Sequence, residues 1–258
     1  MRTIAEPVEG TEVRIEPADS PGIKVNNVSV TLESVCKADV RVDLVDDTVT
    51  VPTDRTRSFV VEHVLGPLGL RGVTAANVVG IRDDWDFARP EHRFCYGAEL
   101  PPSCVVGHPA GLPNPALATA LGQVEVVERA SQPRQTVSEP VSFNANGGDI
   151  KLHPREDGAG IRFEATYGEA EITAEVDPHG ETDETLIDSV TNSTTPYLSP
   201  NDEEAVTHAI ADLVSDIAVI GGFDDLVVEA NLAEAYHALT IGAAKKAHSS
   251  GLVEQRPS

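Results

Sequence analysis

The chain has 258 residues, 40% of them apolar, enough to bury the core of one large domain or of two ordinary ones. Forty-two acidic residues against 19 basic leave a formal net charge of -23, which argues against nucleic acid or an anionic membrane surface as a partner. No apolar run reaches the roughly 18 residues of a membrane span, so none is expected, and the opening MRTIAEPVEG lacks the basic-then-apolar order of a secretory signal.

From the N-terminus, residues 11–25 alternate apolar and polar around Asp19-Ser20-Pro21-Gly22, which predicts two strands joined by a turn. Strand-like alternation continues over 28–32 and 38–51, with Asp46-Asp47 as a hairpin turn. Residues 58–65, SFVVEHVL, predict a short helix that Pro67 and Gly69 end or kink. A strand follows at 75–81. The proline-rich stretch 83–121 is irregular, with a short helix at its end from 114, and 123–128 reads as a closing strand. Residues 129–140, RASQPRQTVSEP, have the composition of a linker.

The second half opens as the first does. Residues 150–163, IKLHPREDGAGIRF, parallel 13–25, VRIEPADSPGIKV: Pro17 answers Pro154, Gly22-Ile23 answers Gly160-Ile161, and Lys24 answers Arg162. Further on, 59–65 parallels 205–211, which puts His63 and His208 in equivalent places 145 residues apart. The chain therefore predicts an α+β fold made of two similar α/β sandwich domains from an internal duplication, each a small sheet covered by helices. The first spans 1–130 and the second 138–258.

Residues 201–220 predict one amphipathic helix. Ser199 can cap it, Pro200 suits its first turn, and Asp202, Glu203 and Glu204 favour its positive end. Val206, Ile210, Leu213, Val214 and Ile217 form the buried face. His208, Asp212 and Asp216 recur every four residues and form a second stripe, well to one side of the first. Such a stripe is ordinarily a solvated face, but a His and an Asp one turn apart can also point at one metal ion. A strand at 224–229 follows, then a helix at 231–246 with His237 in its middle, then ten residues expected to fray.

Three segments resemble the zinc-dependent UDP-3-O-acyl-N-acetylglucosamine deacetylases. They are VVEHVLGPLGL at 60–70, HAIADLVSDIAVIG at 208–221 and AEAYHALTIGAAKKA at 233–247, which stand in the family's order. The resemblance implies a duplicated architecture, as the repeat does. It also implies Zn²⁺ held by His63, His208 and Asp212, with a fourth position open. By the same resemblance Glu62 acts as general base, and His237 stabilises the oxyanion or protonates the leaving amine. Asp216 would orient His237 through its second nitrogen. A further oxyanion donor is open among Thr191, Thr194 and Thr195. The expected function is an amidohydrolase that removes an N-acyl group, most simply acetyl, from an amino sugar or sugar nucleotide. The alternative is a binding or assembly protein that keeps the fold without the chemistry.

The chain departs from the family at three places. Ala209 stands where a lysine follows the second His, the acyl-chain insert before that helix is missing, and so is a characteristic N-terminal loop with its own His. A shallow polar cleft that accepts a small N-acyl group and rejects long acyl chains is therefore expected. A rival metal set, His92, Cys95, Cys104 and His108, lies in the irregular stretch with Cys2His2 composition. In that stretch Trp85, alone among charges, reads as an interface or lid patch. With Cys36 the three cysteines are too scattered for a disulfide framework, which fits a reducing, cytoplasmic setting. Only five of the 19 basic residues are lysine and the acidic excess is spread evenly, a pattern typical of proteins that work in concentrated salt.

Overall fold

The computed structural model describes residues 1–10, 13–33, 41–43, 58–60, 62–80, 93–94, 106–107, 115–180, 184–193, 202–233 and 237–256. The first sheet is assembled from β1 (Arg2–Ile4), β2 (Val8–Glu9), β3 (Arg14–Pro17), β4 (Gly22–Val25) and β5 (Val28–Ser29), together with two later strands. Two short ladders stand apart: β6 (Arg41–Asp43) with β7 (Ser58–Val60), and β9 (Arg93–Phe94) with β10 (Val106–Gly107). The helix α1 (Glu62–Leu70) leads to β8 (Ala75–Val79), which pairs antiparallel with β3 and parallel with β4. Beyond these, β2 edges β3 and β5 edges β4. After α2 (Pro115–Leu121), β11 (Val126–Glu128) pairs with β1, which touches β8 at Thr3.

The second sheet contains β13 (Val141–Ala145), β14 (Gly148–Pro154), β15 (Ile161–Tyr167), β16 (Ala170–Val176) and β17 (Leu226–Leu232), in the order β13-β14-β17-β15-β16. Its strands alternate strictly. Ile150, Leu152, Ile161, Phe163, Ile172 and Val176 are buried, while Lys151, Arg162, Glu164, Glu171 and Glu175 face solvent. One face packs on helices and the other stays wet, as expected of an antiparallel-rich sheet. Full burial of a side chain such as Phe163 is worth about 1.5–3 kcal/mol.

The helical layer lies between the sheets. The first core joins β3, β4 and β8 to Val64, Leu65 and Leu68 of α1 and Leu121 of α2. The second joins the β14–β17 sheet to α3 (Glu184–Thr191), α4 (Asp202–Leu213) and α5 (His237–Ser249). Helix α4 runs on without a break as a π-helix over Val214–Ile220. The two halves meet where α1 crosses α4. A Cβ added to Gly66 would stand 3.0 Å from the Ala211 carbonyl oxygen, and one on Gly69 would stand 2.7 Å from Val219 and 2.8 Å from Val214. Only glycine permits so close an approach of these backbones. The fold is α+β, and among the described residues no helix is long and apolar enough to cross a membrane.

Several elements differ from the sequence expectation. Residues 58–60 are strand, not helix, and α1 continues through Pro67 and Gly69 to Leu70. Burial of Val64, Leu65, Leu68 and Leu70 offsets the poor intrinsic helicity of those two residues. The expected linker 129–140 contains β12 (Arg134–Val137), which pairs with β18 (Val253–Arg256), so the expected frayed end is also strand. Thr136 and Val137 are fully buried there, and Arg134 bonds Asp225 at 2.7 Å and Asp177 at 3.0 Å. Burial alone would lower the Arg134 pKa, but the bonds and charges of those two aspartates raise it above its ordinary value. Of the expected helix at 231–246, residues up to Leu232 belong to β17, and α5 is described from His237 onward. The strand β16 and the helix α3 had no counterpart in the sequence expectation.

Candidate functional site

The polar stripe on α4 is not a solvated face. His208 is 2% exposed, Asp212 1% and Asp216 0%. Four-residue spacing puts all three on one side of the helix, and the packing turns that side inward. His237, at the start of α5, completes the cluster. Its Nε2 lies 3.8 Å from Asp212 Oδ2, and its Nδ1 lies 2.9 Å from Asp216 Oδ2. His208 Nε2 lies 3.4 Å from Asp212 Oδ1.

The surrounding hydrogen bonds assign the ring protons. Ser193 Oγ donates to the Val190 carbonyl at 2.8 Å, so toward His208 Nδ1, 3.4 Å away, it presents lone pairs. At His237, Nδ1–H donates to Asp216 Oδ2, which also accepts from the Thr240 hydroxyl. The remaining oxygen, Asp216 Oδ1, is buried without a hydrogen-bond partner among the described residues, as is Ser215 Oγ.

This donor set fits zinc. The His208–Asp212 separation is close to the edge of a tetrahedron drawn about Zn²⁺ with bonds of about 2.0–2.1 Å, and imidazole with carboxylate is a usual ligand chemistry. Among the described residues, no three His, Cys, Asp or Glu side chains form a complete metal-holding group. The side chains of Glu62 and His63 lie outside the described residues. Their backbone is described and begins α1, one turn before Gly66, just as His208 lies one turn before Ala211.

Other candidates fall as follows. Thr191 is buried and its hydroxyl donates to Ile187 of its own helix at 2.6 Å. Thr194, Thr195, Ser199 and Pro200 lie outside the described residues, as do Trp85, His92, Cys95, Cys104, His108 and Cys36. Ala209 is fully buried in the second core. Ser193 and Thr240 were missed by sequence reasoning. Thr240 stands three residues after His237, so its helical spacing carried a signal. Ser193 follows a helix that had no expectation, so it carried none.

No family model matches this chain, and no curated protein matches it.

Proposed function

We propose that this protein is a zinc-dependent amidohydrolase that removes a small N-acyl group, acetyl in the simplest case, from an amino sugar or sugar nucleotide. The observation that carries this reading is the buried cluster His208, Asp212, His237 and Asp216, with His208 Nε2 and Asp212 Oδ1 3.4 Å apart. His63, His208 and Asp212 would hold the metal, and a bound Zn²⁺ would supply Lewis acidity for attack of water on an amide carbonyl. Glu62 takes the proton from the attacking water. Asp216 holds His237 with Nε2 on the side of Asp212, where it steadies the developing oxyanion or gives a proton to the leaving amine. The products are a carboxylate and a free amine.

The duplicated architecture belongs to the same proposal, with domains at 1–130 and 138–258. Its support is the pairing register. In the first sheet Ala76 bridges Pro17 and Ile23, and in the second Leu226 bridges Pro154 and Ile161. The strand order β2-β3-β8-β4-β5 repeats as β13-β14-β17-β15-β16 with the same relative directions. Buried Thr3 donates to the carbonyl of Ala75, and buried Thr136 to that of Asp225, one residue before each bridge. The helix crossing pairs Gly66 with Ala211 and Gly69 with Val214, the spacing that also separates His63 from His208. The pairing of β12 with β18 supports counting 134–137 with the second unit, ahead of the expected start at 138.

Two measurements test the reading. Metal analysis of the purified protein should find about one zinc per chain, reduced by His208→Ala and by Asp212→Ala. Incubation with a panel of N-acetylated sugars and sugar nucleotides should release acetate, with long-chain acyl analogues turned over more slowly. Protein without zinc sinks the proposal. Zinc without hydrolysis of any panel member favours the non-catalytic alternative, for which buried Ala209 in place of a lysine speaks.

A further inference from the structure

A second place in the molecule is open. A cavity of about 370 Å³ lies at the other end of the helical layer, between the C-terminal ends of α1 and of the π-helix. From His208 to Val219, eleven residues of helix separate the two places by about 15 Å. The cavity sits between the two halves. Gly72 and Gly222, which follow the two helices with φ of 66° and 72°, both line it. Thr74 and Asp224 line it too, each two residues before the bridging position of its sheet.

Its chemistry is specific. Gln132, Gln135 and Gln255 line it, and their side-chain amides make no hydrogen bond to the described residues. His179 Nε2 donates to Asp224 Oδ1 at 2.8 Å, and Asp224 Oδ2 accepts from the Gln135 backbone at 2.7 Å. These bonds hold the imidazole in place at the cavity wall. Among the described residues the cavity is lined by no lysine or arginine, and His179 is its one ring. A phosphate or carboxylate would meet the Asp224 carboxylate in a chain of net charge -23. Amides that both donate and accept, beside the apolar surfaces of Pro133, Pro178 and Val219, match a compact molecule bearing several hydroxyls.

We propose that this cavity is a second binding site, for a small neutral polyhydroxy compound of monosaccharide or cyclitol size. The proposal stands apart from the hydrolase reading, since no residue of the His208 cluster lines the cavity. The test uses D-glucose and myo-inositol, which carry no amide, as separate probes by saturation-transfer NMR and thermal shift. At least one should bind wild type in the millimolar range or tighter. The Gln132→Leu/Gln255→Leu double variant, with its fold checked by circular dichroism, should weaken that binding about tenfold, as loss of two net hydrogen bonds does. His208→Ala should leave it unchanged. Absence of binding by both probes overturns the proposal, as does binding that the double variant leaves intact. Loss of binding in His208→Ala, or displacement of the probe by inorganic phosphate, overturns it as well.

Discussion

Asp216 is fully buried, and one of its oxygens takes two hydrogen bonds, from His237 Nδ1 and from the Thr240 hydroxyl. A buried carboxylate that loses a donor keeps its desolvation cost. Thr240→Val is therefore expected to destabilise the protein by about 1–3 kcal/mol, while Thr240→Ser, which keeps the hydroxyl, recovers most of it. Urea unfolding of the three proteins checks this, and equal stability of the Val and Ser variants would remove Thr240 as an anchor of Asp216. Arg134 poses the same question just before β17. Its partner Asp225 is 2% exposed, so Arg134→Ala leaves a buried carboxylate without its counterion and should cost about 3–5 kcal/mol. A loss below about 1 kcal/mol in the same assay would class the pair with exposed salt bridges.

Among the elements, α1 and α4 bring the halves together, and glycine sets their separation. A side chain at Gly66 meets the Ala211 backbone, which cannot rotate aside, and one at Gly69 meets two valines. Gly66→Val or Gly69→Val is expected to cost about 1–3 kcal/mol or more by pushing the helices apart. If the zinc reading holds, each variant should also lower zinc content, because His63 and His208 sit on opposite partners of that crossing. Gly122→Ala is the control. A Cβ there meets its nearest atom at 3.4 Å, an ordinary contact, so the change should stay within about 0.5 kcal/mol. Thermal unfolding with parallel metal analysis reads both effects, and a stable, zinc-replete Gly66→Val would show that the close approach is dispensable.

At the scale of the whole molecule the charge dominates. A net charge of -23 on 258 residues repels itself, and the outer face of the second sheet carries part of it in Glu164, Glu171 and Glu175. Salt screens this repulsion over a Debye length that falls to about 3 Å at 1 M. The melting temperature should therefore rise steadily as sodium chloride increases to about 1 M, and potassium chloride should act alike because the effect is screening. A melting temperature that falls or stays flat would mean that the charge has little bearing on folding. The pairing of β12 with β18 ties the entry of the second sheet to residues 253–256, so deleting those residues should lower the melting temperature at every salt concentration.

The sequence by itself determined the features that depend on local period and spacing. Alternation placed β3 and β4, because side chains two residues apart share a face of a strand whatever surrounds it, and the repeat carried that reading to β14 and β15. Four-residue spacing placed His208, Asp212 and Asp216 on one stripe, because that spacing is one helical turn. The repeat of Pro17, Gly22 and Ile23 in Pro154, Gly160 and Ile161 was legible because turns restrict residue type locally. Tertiary structure decided which way those patterns face. Whether the stripe on α4 met water or another helix depended on α5 and on the helix crossing, which no window of sequence contains. Pro67 and Gly69 read as breakers, yet they lie inside α1, since burial of its leucines outweighs intrinsic preference. The stretch 134–137 read as linker because its partner strand is more than a hundred residues away. Residues 231 and 232 read as helix because apolar residues suit both the end of a strand and the start of a helix, and only pairing with β14 and β15 assigned them to β17.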